Sequence, residues 1–326
     1  RYGKNVAFEV VELQQPAVGE DDVLIEIHAA GLNVLDAKIR NGEFKLLLPY
    51  KLPLVLGHDL AGVVVNVGAN VKRFKVGDEV YARPADFHIG AFAEYIALNE
   101  NDVAIKPNNI SMEEAASMPL VSLTAWQALV DKAKLTAGQK VFIQAGSGGV
   151  GTIAIQLAKN LGATVATTTS KANFDLVKRL GADIVIDYKT EEAENILHDY
   201  DLVLNSQDTE ALKKSLSVLK PNGKLISISG LPDPSFADEI GASWLVKLIM
   251  RLLSLPVRGR AKQLNVDYSF LFMKASGNQL SEITALVSAG KIKPIVDRTF
   301  PFSSINEAMT YVETGRAKGK VVIKVK

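Results

Sequence analysis

Gly146, Gly148 and Gly151 are spaced so that backbone can approach a pyrophosphate closely, since each lacks the Cβ that would hold the anion away. In a chain with 24 glycines that spacing alone is a weak signal, and its flanks make it specific. Ahead of it, residues 140–145 carry Val141, Phe142 and Ile143 in a short apolar run with the character of a buried parallel strand. Behind it, Val150, Ile153, Ala154, Leu157, Ala158 and Leu161 recur at helical spacing, and Gly162 stands where a C-terminal glycine cap belongs. Strand, turn and helix in that order aim the free N–H groups of the helix N-terminus at the anion, with Ser147, Gly149 and Val150 completing the turn.

At the end of the following strand an Asp or Glu would accept from a ribose 2′-hydroxyl and repel a 2′-phosphate. Residues 164–171 contain no acid. They end on Thr168, Thr169, Ser170 and Lys171, which offer hydroxyls and one cation, the groups a phosphate dianion needs. The expected cofactor is NADPH. A second constellation, His58 beside Asp59, places imidazole and carboxylate together. His28, His88 and His198 show no ligand spacing to it, so a packed, hydrogen-bonded structural role is expected rather than a metal.

The elements that must position these residues fall into two styles. Residues 23–29, 61–67, 79–82, 91–98 and 103–106 read as short strands separated by Gly, Asn and Asp turns, a pattern suited to a small barrel or sandwich. Ser111 and Glu114 form a capping box that opens a helix, and Pro119 is expected to break it before a helix resumes at Thr124. From Lys140 onward strands and helices alternate, with further strands at 184–187, 202–205 and 224–229, which predicts a doubly wound parallel sheet. Leu280, Ile283, Leu286 and Val287 mark one face of a helix at 279–289. Strands at 295–300 and 321–325 are expected to rejoin the first part.

A length of 326 residues exceeds what one core usually serves, and 48% hydrophobic content is enough to fill two. A net charge of +1 provides no broad field for nucleic acid. The absence of cysteine excludes disulfides, cysteine nucleophiles and thiolate metal sites. No run of about 18 apolar residues and no signal-peptide core is present, so a chain without a spanning segment, in the cytoplasm, is expected. It opens on Arg1 directly into a turn at Tyr2, Gly3 and Lys4, and a preceding segment is expected.

With these motifs in view the chain resembles the medium-chain dehydrogenase/reductase superfamily, and within it the zinc-independent quinone and enone oxidoreductases. The resemblance rests on segments 30–36, 56–63, 74–81, 90–95, 145–151, 219–223 and 319–322, in that order, and covers nearly the whole length. It implies an α/β chain: a GroES-like β-barrel domain from residues 1–121 and 274–326, a Rossmann domain from 122–273, and a cleft where nicotinamide meets substrate. Zinc members have a cysteine where this chain has Leu32 and Asn33, and a glutamate where it has Asp59.

The resemblance further implies hydride transfer to a quinone, or to the C=C bond of an α,β-unsaturated carbonyl. Without a Lewis acid, developing negative charge on the carbonyl oxygen falls to hydrogen-bond donors. Asn33 and Lys38 are the candidates, in a pattern with Asp36 that looks like that of enone-reducing members. Asp36 lines the substrate loop and is expected to anchor it, and Phe44 offers an aromatic wall without a phenol. Carried over as cofactor contacts are Thr124, Tyr188, Ser229, Phe270, Phe272 and Lys320. A homodimer is implied through the last sheet strand, 268–273.

One stretch exceeds a minimal reductase. Residues 244–255 form an apolar helix with Lys247 and Arg251 on a narrow polar stripe, followed by Arg258, Arg260 and Lys262. It could lie on a membrane, meet a dimer partner or cover the cleft; burial in the protein is the expected state. A non-catalytic NADPH-responsive protein of the same fold is the alternative to the enzyme.

Overall fold

The computed structural model describes residues 2–4, 6–45 and 48–326. The chain divides into two compact units: Arg1–Leu123 with Lys274–Lys326, and Thr124–Met273.

The first unit begins with β1 (Asp22–Leu32), α1 (Val34–Asn41), β2 (Asp59–Val67), β3 (Glu79–Ala82), β4 (Tyr95–Asn99), β5 (Val103–Ile105) and α2 (Met112–Ala116), followed by α3 (Pro119–Trp126). One face of β1 is wholly buried through Val23, Ile25, Ile27 and Ala29, while the other mixes buried Leu24 and Ala30 with half-buried Glu26 and His28. It pairs antiparallel with β2 along most of its length and with β4 through residues 22–26, and its register shifts between Ile27 and Ala29.

Two expectations change here. The strand expected at 91–98 is confined to β4, because the N–H groups of Gly90 and Ala91 donate to Gly57 O and that of Phe92 to Leu56 O. The helix is interrupted after Ala116, as expected, but it resumes at Pro119 rather than at Thr124, with the proline at the first position, where its missing N–H costs nothing. The capping box at α2 is present in both directions, with Glu114 N donating to Ser111 Oγ at 3.2 Å and Ser111 N to Glu114 Oε2 at 2.9 Å.

The second unit contains β6 (Lys140–Ile143), α4 (Gly149–Asn160), β7 (Thr164–Thr169), α5 (Phe174–Arg179), β8 (Ile184–Asp187), α6 (Ala193–Ile196), β9 (Tyr200–Asn205), α7 (Thr209–Ser215), β10 (Leu219–Ser227), α8 (Pro234–Glu239), α9 (Trp244–Leu253), α10 (Leu255–Gln263) and β11 (Asp267–Phe270). All six strands are parallel, in the order β11-β10-β9-β6-β7-β8. This is the doubly wound Rossmann order, with its switch point at β6. Phe142, Val203 and Leu225 from the sheet pack with Leu212 and Leu216 in one core cluster. Burial of each such side chain contributes about 1.5–3 kcal/mol.

The helix expected to bury its apolar surface does not. Among the apolar side chains of α9 only Met250 is buried, whereas Trp244 is 75% exposed and Leu252 59%.

The chain then returns to the first unit with α11 (Gly277–Ser288), β12 (Val296–Pro301), α12 (Ile305–Glu313) and β13 (Lys320–Lys324). β13 pairs antiparallel with residues 29–32 of β1 and parallel with β12, so the C-terminal strands rejoin the first sheet as expected. That sheet has seven strands, β12-β13-β1-β2-β3-β5 with β4 on β1, and the chain as a whole is α/β.

Candidate active site

The glycine turn between β6 and α4 divides its work among three residues. A Cβ on Gly146 would meet Thr167 Oγ1 at 2.1 Å, and one on Gly151 would meet Ala145 O at 2.3 Å. These two are glycine because β6, β7 and α4 pack against each other. Gly148 differs, since its added Cβ would meet only Ala145 O, at 3.3 Å, leaving the outer side open. It is the N-cap of α4, with extended φ and no side-chain cap, and no acid stands in the first turn. The N–H groups of Gly149, Val150 and Gly151 therefore have no intrahelical acceptor, and the helix dipole adds positive potential there. Such a cradle fits a pyrophosphate.

The end of β7 is tied to this turn by hydroxyls. Thr169 Oγ1 donates to Ser147 Oγ at 2.8 Å, Asn173 Nδ2 donates to the same oxygen at 3.1 Å, and Ala145 N donates to Thr168 Oγ1 at 3.2 Å. Thr169 is buried with its hydroxyl engaged, so it stiffens the turn where the sequence suggested a phosphate contact. Ser170 is half-buried. Lys171 is exposed, and its ammonium has no hydrogen bond or ion pair among the described residues.

Other carried-over positions scatter more widely. Thr124 is buried in α3 and Tyr188 stands exposed just after β8. Ser229 Oγ donates to Gln207 O at 2.6 Å. The Phe270 ring is buried edge-on to Phe236 at 5.0 Å, in the packing of the second unit, while Phe272 lies half-buried at 5.9 Å from the same ring.

A buried polar chain that the sequence reading missed crosses the C-terminal ends of three strands. Ser227 Oγ donates to Asn205 Oδ1, Asn205 Nδ2 to Gln144 Oε1, and Gln144 Nε2 to Ser215 Oγ, each at 2.6 Å. The available signal was one polar residue closing each apolar run, and ligands of open α/β sheets bind at those strand ends.

The first unit holds a different kind of constellation, built where β1 hands over to α1. Asn33 caps α1, and its N–H donates to Asp36 Oδ2 at 2.8 Å. Asp36 Oδ1 is hydrogen-bonded to His58 Nδ1 at 2.6 Å, and both side chains are fully buried. Asn33 Nδ2 donates to Asp59 Oδ2 at 2.9 Å, and Lys320 Nζ donates both to Asn33 Oδ1 and, at 2.9 Å, to Asp59 Oδ2. Leu120 N donates to Asp59 Oδ1 at 2.6 Å. A buried ion pair is tolerated only when its remaining valences are filled, as they are around Asp59.

This network changes three assignments. Asp36 has both oxygens engaged and no exposure, so its visible work is to anchor the loop. Lys320, expected at the cofactor, is buried in the first unit as the partner of Asp59. Asn33 has both ends of its amide engaged inside the protein, which leaves Lys38, one turn along α1, as the free donor. Lys38 is half-buried and makes no side-chain hydrogen bond or ion pair among the described residues. Beyond the left-handed C-cap Gly42, with φ of 85°, Phe44 is half-buried. Tyr50, which the sequence did not single out, is buried 5.3 Å from the Phe87 ring, and burial pushes its phenol up to about 12.

Comparison with known proteins agrees with this architecture. The family model described as alcohol dehydrogenase GroES-like domain matches residues 19–108, and that described as zinc-binding dehydrogenase matches 180–323. The mitochondrial NAD(P)H oxidoreductase RTN4IP1 of Danio rerio is 35% identical over 100% of this chain and 87% of its own. A chloroplastic NADPH-dependent alkenal/one oxidoreductase of Arabidopsis thaliana is 38% identical over 94% of this chain and 73% of its own. The chain belongs to the zinc-independent quinone oxidoreductases of the medium-chain dehydrogenase/reductase superfamily. Among solved structures, the Escherichia coli quinone oxidoreductase complexed with NADPH aligns with a TM-score of 0.82 at 26% identity, covering 100% of this chain and 98% of that one.

A zinc ion, which one family description implies, does not fit the donors present in this quinone oxidoreductase relative. His58 Nε2 is buried without a partner among the described residues, yet the groups beside it are already committed. Asp36 is bound to His58, Asp59 and Asn33 are bound to the Lys320 ammonium, and no three His, Asp or Glu side chains converge among the described residues.

Proposed function

We propose that this oxidoreductase uses NADPH to reduce the C=C bond of α,β-unsaturated carbonyl compounds, with quinones as the second substrate class. Enzyme class and cofactor follow from the family: the Arabidopsis relative is named for NADPH-dependent alkenal/one chemistry, and the E. coli structure is a quinone oxidoreductase complexed with NADPH. The observation that carries the reading is the uncapped, acid-free N-terminus of α4 facing open space at Gly148, with the unpaired Lys171 ammonium past the end of β7. Gly148, Gly149, Val150 and Gly151 would hold the pyrophosphate, and Ser170 and Lys171 the 2′-phosphate, with Tyr188 beside them. Thr124, Ser229 and Phe272 are the further cofactor positions of this proposal.

NADPH held there would supply a hydride, one proton with two electrons, to the β-carbon of an enone, whose carbonyl oxygen would carry the resulting enolate charge. Lys38 then donates a hydrogen bond to the enolate oxygen, and water protonates the α-carbon. Asn33 acts by positioning α1 through its bonds to Asp59 and Lys320. Phe44 and Tyr50 furnish apolar wall. Loss of one donor to such an oxyanion costs about 2–4 kcal/mol of barrier.

The test is NADPH oxidation by the purified chain with para-benzoquinone, phenanthrenequinone, acrolein and a long-chain enone. Turnover of the enones, with kcat of Lys38→Ala lowered at least about tenfold and NADPH affinity intact, is the expected result. Unchanged kcat in Lys38→Ala would remove Lys38 from the mechanism. Inertness toward the whole panel with NADPH bound would favour the non-catalytic NADPH-responsive reading.

A homodimer is part of the proposal, supported by the place of β11 at the edge of its sheet, where unpaired backbone invites a twin. Among the described residues no helix is long and apolar enough to cross a membrane. The cytoplasm is the compartment we propose, and relatives named mitochondrial and chloroplastic make fractionation its check.

A further inference from the structure

The exposed face of α9 is arranged in reverse of a core helix. With each residue turning the helix by about 100°, Met250 and the following Ser254 share the side that is buried. Trp244, Leu245, Leu248, Ile249, Leu252 and Leu253 spread over the opposite half and are all exposed, and Leu255 at the start of α10 continues the patch at 57% exposure. Lys247 and Arg251 flank this face along one edge.

From Ser243 to Val266 the chain carries five cations, Lys247, Arg251, Arg258, Arg260 and Lys262, and no acid. The acids nearest in α8 are already used: Asp238 pairs with Lys247 at 2.7 Å and Glu239 lies 3.9 Å from Lys132. A large apolar face bearing a tryptophan, edged by Arg251, which is unpaired among the described residues, with no acid from 243 to 266, matches the chemistry of an interfacial helix on anionic lipid. A second copy fits less well. Self-pairing of this face about a two-fold axis would set two cationic borders against each other with no free acid in the segment to offset them. At ten residues α9 is about 15 Å long, half the thickness of a hydrocarbon core, so it would lie in the surface and not cross it.

We infer that α9, with the start of α10, docks the protein flat on a bilayer of anionic phospholipid. Its apolar face enters the acyl boundary, and Arg251, Arg260 and Lys262 meet the headgroups. The inference is independent of the reductase reading, because it rests on a surface that holds none of the residues assigned to cofactor or substrate.

The experiment is cosedimentation of the purified full chain with vesicles of phosphatidylcholine alone, and of equal parts phosphatidylcholine and phosphatidylglycerol. Binding to the anionic vesicles should be at least about tenfold tighter and should weaken at high salt. Trp244 should give a blue-shifted fluorescence that Trp244→Phe abolishes, since Trp126 is the sole other tryptophan. The double variant Leu248→Glu with Leu252→Glu changes two exposed side chains, so it should keep its circular dichroism and NADPH binding while losing vesicle binding by about a hundredfold. Vesicle binding that ignores lipid charge, or survives in the double variant, overturns the inference. So does sedimentation velocity in which the double variant converts a dimer to monomer without any vesicle binding by the parent, which would assign the face to a second copy.

Discussion

Two helix N-termini in this protein solve the same electrostatic problem in opposite ways. At α1 the N-terminus is closed from within: Asn33 stands at the N-cap position, Asp36 returns a carboxylate to its N–H, and His58, Asp59 and Lys320 hold the Asp36 and Asn33 side chains in a buried network. At α4 the cap is Gly148, the first turn holds no acid and the outer side is open. A closed terminus is a positioning device that must not move. An open one leaves its unpaired N–H groups and dipole available to an external anion, the role proposed for it in cofactor binding. The difference lies in whether a side chain or a ligand supplies the negative charge.

The largest effect should come from opening the closed terminus. Asp59→Ala leaves the Lys320 ammonium buried and unpaired, at a cost of about 3–5 kcal/mol, so thermal unfolding should show a midpoint roughly 10 °C lower. The double variant Asp59→Leu with Lys320→Met should recover most of that loss, because it removes both charges together. If the double variant is no better than the single, the network does not work as a coupled unit.

Closing the open terminus is the converse change. Gly148→Asp gives α4 its own cap, which the extended backbone at Gly148 permits. Stability should rise by up to about 1 kcal/mol, while NADPH affinity measured by calorimetry falls by about thirtyfold as two anions compete for one place. Undiminished affinity would show that the cofactor does not use this helix end.

Smaller effects should separate the phosphate contact from its support. Lys171→Ala is expected to weaken NADPH about tenfold and leave NADH affinity unchanged, since only the former carries the 2′-phosphate. Equal loss for both dinucleotides would move Lys171 off that phosphate. Thr169→Val, which removes the hydroxyl donated to Ser147, should cost about 1 kcal/mol of stability and shift both affinities alike, as befits a support for the turn.

Much of the second unit was legible in advance because its signals are local. An apolar strand, a glycine turn and a 3.6-residue periodicity lie within residues 140–162, and β6 and α4 formed there. Long-range contacts were not legible. Lys320 is 261 residues from Asp59 in the chain, yet they share a hydrogen bond, a contact that the cofactor role expected for Lys320 did not foresee. The strand expected at 91–98 shortened for the same reason: Gly90, Ala91 and Phe92 found carbonyls at Leu56 and Gly57 instead of a ladder. Asn33 and Asp36 could be singled out by type and spacing, but which of their atoms remained free was a question of burial.

The sequence by itself determined that a glycine turn without acids follows β6, that no acid guards the end of β7, and that a cysteine-free chain offers no thiolate to a metal. Those properties follow from residue type and near-neighbour spacing. Tertiary structure alone decided that Gly146 and Gly151 serve packing while Gly148 faces outward, that Asn33 is spent on Lys320 and Asp59, and that the apolar face of α9 points to solvent. Each of these depends on which atoms from remote parts of the chain arrive within about 3 Å, a distance that neighbour spacing does not encode.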